Sequence, residues 1–358
     1  MSSDIVSLPT RPGQVTPEWL GGVLGQKVKS LELTRSIHDA SASKLFITIK
    51  YEDEESTVDR PHHICLKGGF NEAMMAIPQY REILITMYTR EANFFNLAAP
   101  KLANVDLPKV WWAGSDSQQG LLVMEDMVRG GFTFGDPVDD WPVERVMAGV
   151  EQLAALHAST WGMTEADNPW LTNVYEETML NLAAMWDAQI LAEGRPPFPD
   201  IIKGSRERTV AAMKKHFATK NPKFISLLHG DPHTGNTFIG QDGRPRFLDW
   251  QTLHIGSCFH DFAYFVVGAL SVEDRRAHEF EILDHYLEKL AELGHGPFSS
   301  KDEDVIKEYS KGTMAGMGWV LTPYDMQRKE RVMAMCERYC AAIVDHEAIE
   351  LIESLEGR

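Results

Sequence analysis

Along the first ~125 residues apolar positions alternate with polar ones, the period of a half-buried strand. Leu45-Phe46-Ile47-Thr48-Ile49-Lys50-Tyr51 is the clearest run; a shorter one lies around Leu31–Thr34. An acidic loop from Glu52 to Asp59 leads to Ile64-Cys65-Leu66-Lys67. The period then lengthens to that of a helix from about Gln79 to Leu97, before Lys109–Ala113, a polar turn at Ser115–Gln119, and Leu121–Met124 make a hairpin. The pattern predicts a small antiparallel sheet with one long helix. Beyond Asp126 the helical period dominates: Trp141–Trp161 carries apolar residues at Val146, Val150, Leu153 and Leu156. Asn181–Leu191, Arg206–Ala218 and most of the chain from Val272 onward also read as helices. The segment 224–250 is the one convincing β element of this half, with Thr237-Phe238-Ile239, a turn over Gly240–Arg244, and Phe247-Leu248 as a hairpin. Asp242-Gly243 between two apolar runs is a strong hairpin signal. The expectation is an α+β chain with a sheet-rich N-terminal lobe over residues 1–125 and a mainly helical C-terminal lobe over 126–358.

Two charged residues break their local pattern. Glu91 lies on the stripe Leu84, Met87, Glu91, Phe94-Phe95, the helix face that should turn inward, where a carboxylate needs a partner. Lys67 ends an otherwise apolar strand and is followed by Gly68-Gly69. An ion pair between Lys67 and Glu91 resolves both exceptions, and such a pair is the device kinases use to hold the α- and β-phosphates of ATP.

The densest chemistry lies in His229-Gly230-Asp231-Pro232-His233-Thr234-Gly235-Asn236, followed by Phe247-Leu248-Asp249-Trp250. Asn236 follows Asp231 by five residues and Asp249 follows Asn236 by thirteen. The hairpin between them brings Asn236 and Asp249 to one end, with Asp231 just ahead. One acceptor for a hydroxyl proton and a metal-holding pair are what phosphoryl transfer from MgATP asks for. The turn Ser36–Lys44, between the first two strands, holds no glycine, so neither GxGxxG nor GxxxxGK[ST] is present. Its small residues Ala40–Ser43 leave room for backbone amides and hydroxyls to approach phosphates; a polar turn with no ligand fits the segment equally well. His229 and His233 flank Asp231 as His-x-Asp-x-His, which allows a transition-metal reading. Pro232 in the turn and the hard oxygen ligands that follow favour scaffolding of the loop instead.

Composition changes the picture by exclusion. At 358 residues the chain should form more than one core, and 44% hydrophobic with 24% charged residues describes an ordinary globular protein. No run of eighteen apolar residues exists, so no spanning helix is expected. The N-terminus has neither a basic nor an apolar leader region, and Cys65, Cys258, Cys336 and Cys340 are scattered without CxxC spacing. A cytoplasmic, reduced, disulfide-free protein is the reading. A net charge of −17 argues against nucleic acid as a partner; the acidic surface serves solubility before any gathering of a cationic substrate.

Together these residues resemble the aminoglycoside phosphotransferase and choline kinase superfamily, in the motif HGDxHxGN (His229–Asn236) and the hydrophobic-Asp-aromatic motif Leu248-Asp249-Trp250. Asp249-Trp250-Gln251, Gly256 and His260-Asp261-Phe262-Ala263-Tyr264-Phe265 look most like its CHK-kinase-like, or ecdysteroid-kinase-like, branch. Leu122–Asp126 and Leu153–Ala158 are similar to that branch's lobe junction and first C-lobe helix, so the resemblance runs from about Ser41 to at least Phe265. It implies the two-lobed protein-kinase-like fold and an ATP-dependent, magnesium-dependent kinase for a small organic alcohol, such as a sterol-like, amino-alcohol or antibiotic-like compound. By that resemblance Asp231 orients the acceptor hydroxyl and takes its proton, and Asn236 and Asp249 ligate magnesium. Lys67 contacts phosphates and pairs with Glu91, with Ser41, Ala42 and Ser43 near the phosphates. Met124 and Glu125 line the adenine pocket, and Asp261 braces the catalytic loop. A catalytically silent kinase-fold binding protein and a His/Asp metallohydrolase are the alternatives; the intact Lys67, Glu91, Asp231, Asn236 and Asp249 set argues against the first.

Overall fold

The computed structural model of the chain describes residues 7–39, 42–171 and 175–356. They divide into two units, one made of residues up to 101, 107–133 and 249–251, the other of 102–106, 134–248 and 252 onward.

In the first unit five antiparallel strands, β1 (Val28–His38), β2 (Ser43–Tyr51), β3 (His63–Gly68), β4 (Val110–Ser115) and β5 (Gly120–Glu125), form one sheet in the order β1-β2-β3-β5-β4. The alternation in the sequence divides the side chains between two faces. Leu45, Ile47, Ile49, Ile64, Leu66, Leu121 and Val123 pack with Trp19 and Leu20 of α1 (Pro17–Leu24). Phe46, Cys65, Leu122 and Met124 form the second layer with Phe95. The short helix α1 adds to the single helix expected. Its signals are local: Thr16 accepts from the Trp19 N–H at 3.2 Å, Pro17 opens it, and Gly25 closes it in the left-handed conformation. One turn of α2 (Glu72–Met75) precedes the long helix α3 (Pro78–Asn93), which continues as a π-turn over Phe94–Ala98.

A two-residue strand, β6 (Thr133–Phe134), precedes the helical part of the chain. The second unit holds α4 (Val143–Ser159), α5 (Tyr175–Leu182), α6 (Asp200–Lys203), α7 (Arg206–Ala218), α8 (Cys258–Ala269), α9 (Val272–Glu292), α10 (Glu303–Gly312), α11 (Met317–Val320), α12 (Lys329–Asp345) and α13 (Ala348–Ser354). Every residue of α8 is buried, the signature of a helix surrounded by others. The helix expected over 181–191 is shorter and earlier: α5 ends at Leu182, and a tight 3₁₀ turn and a wider π turn carry the chain to Leu191. The hairpin forms as β8 (Thr237–Ile239) and β9 (Pro245–Phe247), with Thr237 opposite Phe247, while β7 (Ile225–Leu228) pairs with β10 (His254–Ser257). The last strand corrects the expectation that β structure ends at residue 250. His254-Ile255-Gly256-Ser257 has no alternating pattern because its side chains are buried on both sides.

Candidate active site

The first unit brings the two out-of-pattern charges together with Asp249. Lys67 sits on β3 with its Nζ 2.8 Å from Oε1 of Glu91 on α3 and 2.8 Å from Oδ1 of Asp249. Lys67 and Glu91 are buried, so each carries the other through a medium that does not solvate it. Burial alone would lower the lysine's pKa; the two carboxylates outweigh it and hold the ammonium charged. Burial pushes the Glu91 carboxyl up, against the pull of Lys67 and of the Trp250 N–H. The segment Asp249–Gln251 is held at each residue, the first by β3 and the next two by α3. Asp249 meets Lys67, the Trp250 N–H donates to Glu91 Oε1 at 3.0 Å, and Arg90 Nη1 donates to the Gln251 carbonyl at 3.0 Å. The Trp250 ring stacks on Phe94, centroids 4.4 Å apart and 12° from parallel. Asp249 itself has φ of 69°, a left-handed conformation that a non-glycine residue adopts only when its surroundings hold it.

Of the remaining expected residues of this unit, Ser43, Met124 and Glu125 lie on the same sheet. Ala42 is buried against Leu84 and Tyr88. Ser43 starts β2 opposite Gly68, its Oγ 3.0 Å from Nδ1 of His38, while Ser41 lies outside the described residues. Met124 and Glu125 end β5 opposite Cys65 and Ile64, with the Glu125 N–H donating to the Lys109 carbonyl.

In the second unit the loop between β7 and β8 carries His229 to Asn236. Gly230 has φ of 84°, and a Cβ there would stand 2.3 Å from the Thr252 carbonyl oxygen, so only glycine fits. The loop is held from beneath by Asp261 in the first turn of α8: Oδ2 accepts the His229 N–H at 2.6 Å and Oδ1 the Gly230 N–H at 3.0 Å. His157 of α4 reaches the same carboxylate at 3.2 Å and is fixed on its other nitrogen by Tyr286 at 2.7 Å. Burial opposes ionisation of Asp261; the His157 bond and the neighbouring histidines outweigh it and hold the carboxyl at about 2. His229 accepts the Asp231 N–H on Nδ1 and donates from Nε2 to the Leu248 carbonyl, so both ring nitrogens brace the loop. Among the described residues no group of three or more His, Cys, Asp or Glu is placed to hold a metal ion.

Asp231 is one-third exposed. Its Oδ2 accepts from Asn236 Nδ2 at 3.1 Å, and the same amide nitrogen lies 3.0 Å from the Asp231 carbonyl. With Nδ2 turned to Asp231, the Asn236 carboxamide oxygen is the atom left for a ligand. The Leu248 N–H donates to the Asn236 carbonyl at 2.9 Å, and Asp249 is the next residue along the chain.

Trp250, Gln251 and His254, which follow Asp249 in the chain, are buried. Trp250 packs on Phe94, and His254 stacks on Tyr175 at 4.1 Å. Arg90 and Tyr264 also join these networks, with no role assigned to either by the sequence pattern. Arg90 is buried beside Glu91, a second charge on an inward helix face. Tyr264 sits one turn beyond Asp261 in a helix without a polar face, and its hydroxyl donates to Asp231 Oδ1 at 2.5 Å. The signal for Tyr264 was the i, i+3 spacing from Asp261, which puts both on one side of the helix.

A five-stranded antiparallel sheet with its helix, a mainly helical second unit, and the paired Lys67–Glu91 together define the two-lobed kinase-like α+β fold of the small-molecule kinases. The chain belongs to the ecdysteroid kinase-like family, which it matches over residues 42–295. No curated protein matches it. Its fold is similar to that of the Plasmodium vivax ethanolamine kinase, at 11% identity over 88% of this chain and 83% of that one, TM-score 0.51. It is also similar to an amicoumacin kinase in complex with AMP-PNP, Ca2+ and Ami, at 16% identity over 88% and 89%, TM-score 0.50. The choline kinase of Streptococcus pneumoniae matches at 14% identity over 94% and 97%, TM-score 0.47.

Proposed function

We propose that this small-molecule kinase transfers the γ-phosphate of ATP to a hydroxyl of an organic molecule, with Asp231 as the base. The observation that carries the reading is the carboxylate of Asp231, partly exposed and held from both sides on a loop whose backbone is fixed by Asp261. In the transfer the acceptor's O–H proton passes to Asp231, its oxygen bonds to the γ-phosphorus, and the bond from that phosphorus to the ADP oxygen breaks. Little covalent work is asked of the protein, so positioning and charge carry the rate.

Residues 1–125 serve the nucleotide and 126–358 the acceptor. Lys67, fixed by Glu91, meets the phosphates; Ala42 and Ser43 lie along that path, and Met124 and Glu125 supply backbone contacts to the base. The oxygens of Asn236 and Asp249 are hard donors of the kind magnesium takes, and the metal would offset the phosphate charge there. The family supports an acceptor of small-molecule size, and the ATP analogue bound to the amicoumacin kinase supports nucleotide use. No helix among the described residues is long and apolar enough to cross a membrane. A cytoplasmic setting, where ATP is at hand, completes the reading.

A library of hydroxyl compounds, assayed for ADP formation from MgATP, tests it. Wild type should turn over at least one compound, and Asp231→Asn should abolish that turnover while MgATP binding by calorimetry persists. Full transfer by Asp231→Asn would remove Asp231 as the base. Absence of MgATP binding at millimolar nucleotide would favour a silent ligand-binding protein.

A further inference from the structure

The hydroxyl of Tyr264 meets Asp231 from the interior of the protein. Tyr264 lies on α8, buried on a helix buried throughout, and its hydroxyl is 2.5 Å from Oδ1 of Asp231. One turn earlier on the same helix, Asp261 accepts the N–H groups of His229 and Gly230. A single rigid helix thereby fixes the backbone of the loop through one residue and its reactive side chain through another. The Tyr264 carbonyl receives in turn the hydroxyl of Tyr339 on α12 at 2.6 Å, so the position of the tyrosine along α8 is itself held. Tyr339 falls beyond the residues that the family matches, 42–295.

We infer that Tyr264 is a positioning residue for phosphoryl transfer: its hydroxyl occupies Oδ1 of Asp231 and leaves Oδ2 to receive the acceptor's proton. The inference rests on the reading of Asp231 as the base. An oxygen that accepts a short charge-assisted bond has its negative charge partly neutralised, so the proton goes to the other oxygen. Oδ2 accepts the longer 3.1 Å bond from Asn236, has the His233 Nε2 3.6 Å away and, as a carboxylate oxygen, keeps a second lone-pair site. Burial and the neighbouring Asp231 hold the Tyr264 phenol well above its ordinary range, so it stays a donor throughout. As the acceptor O–H bond breaks and the Oδ2–H bond forms, the Tyr264 bond persists to Oδ1, and no proton leaves the tyrosine. The carboxylate is prevented from rotating, which would exchange its two oxygens and misdirect the base.

The test compares wild type, Tyr264→Phe, Tyr309→Phe and Asp231→Asn. Tyr309 donates an equally buried hydroxyl to Glu279, away from the catalytic loop, and controls for the loss of a buried phenol bond. ADP release from MgATP is followed with the hydroxyl compound of highest turnover in the library, water serving as acceptor where none exceeds it. MgATP affinity is measured by calorimetry. Tyr264→Phe should lower kcat about tenfold or more with the MgATP affinity within twofold of wild type. Tyr309→Phe should lose thermal stability and keep its kcat. A Tyr264→Phe enzyme with wild-type kcat, or one whose kcat falls only as far as that of Tyr309→Phe, overturns the positioning role while the base assignment stands on Asp231→Asn. An Asp231→Asn enzyme with wild-type turnover, or a wild type that binds MgATP and releases no ADP with any acceptor, overturns the Asp231 reading and this inference with it.

Discussion

The backbone N–H of Trp250 donates to Oε1 of Glu91 at 3.0 Å, joining two residues 159 positions apart in the chain. The same oxygen receives the ammonium of Lys67 at 2.8 Å. Glu91 is therefore a junction as much as a partner: it orients the lysine and fixes the turn that follows Asp249. In a buried setting such a junction costs most when one member alone is removed, because the others keep their charge without compensation.

Glu91→Ala should accordingly destabilise the protein by about 3 kcal/mol or more, the cost of an uncompensated buried charge, and should free the 249–251 turn. Urea unfolding measures the first effect. Lys67→Met should weaken MgATP binding about tenfold or more, read by calorimetry. Wild-type stability in Glu91→Ala would mean that Asp249 alone satisfies the lysine.

Asp261→Ala strips the partners from two buried amides and from His157. Each orphaned donor costs about 1–3 kcal/mol, so a loss of roughly 3 kcal/mol or more is expected, with kcat falling because the loop that carries Asp231 loosens. Thermal melting and steady-state kinetics on one preparation would show whether the two losses travel together.

Gly230→Ala places a Cβ 2.3 Å from the Thr252 carbonyl oxygen at a backbone φ of 84°. The clash is with backbone, so it is not relieved by turning a side chain. The variant should lose thermal stability and nearly all turnover, whereas Gly243→Ala, also at positive φ but with open space around it, should lose about 1 kcal/mol and keep its activity.

Acid should destabilise the second unit through its histidines. Burial is the main cause in each: His254 is pushed down to about 3, His260 to about 4, and His216 well below its ordinary 6.5. Above pH 6.5 these rings are neutral whether folded or unfolded. Between 6.5 and about 4 the unfolded chain takes up their protons and the folded chain does not, so stability falls with pH, at a limiting slope of about 4 kcal/mol per unit for three protons. Asp261, held at about 2 when folded, adds its own loss as pH falls from its ordinary 3.8 toward 2. Urea midpoints measured from pH 7 to 4 should decline steeply; a flat profile would place those rings in contact with water.

Much of this was legible because it is local. Period-two and helical patterns announced the sheet, α3, α4 and α7, and Asp242-Gly243 announced the hairpin. Even the Lys67–Glu91 pair was readable, since a charge on an apolar face costs free energy until it is matched. β10 was not, because a strand buried on both sides has no alternation to display. The shortened α5 and the 3₁₀ and π turns after it were hidden as well, since packing overrides helix propensity.

By itself the sequence determined most of the elements that form and which charges need a partner, since periodicity, turn chemistry and the desolvation of charge act within short spans of chain. Only the tertiary structure decided that Asp249–Gln251 joins the sheet-bearing unit through Lys67, Arg90, Glu91 and Phe94, and that Trp250 and His254 are packed away from solvent. It alone decided that Tyr264, a plain aromatic in an apolar helix, has its hydroxyl on Asp231. Those relationships depend on distances between residues that are tens to more than a hundred positions apart. They are fixed by the packing of buried faces, which no local pattern encodes.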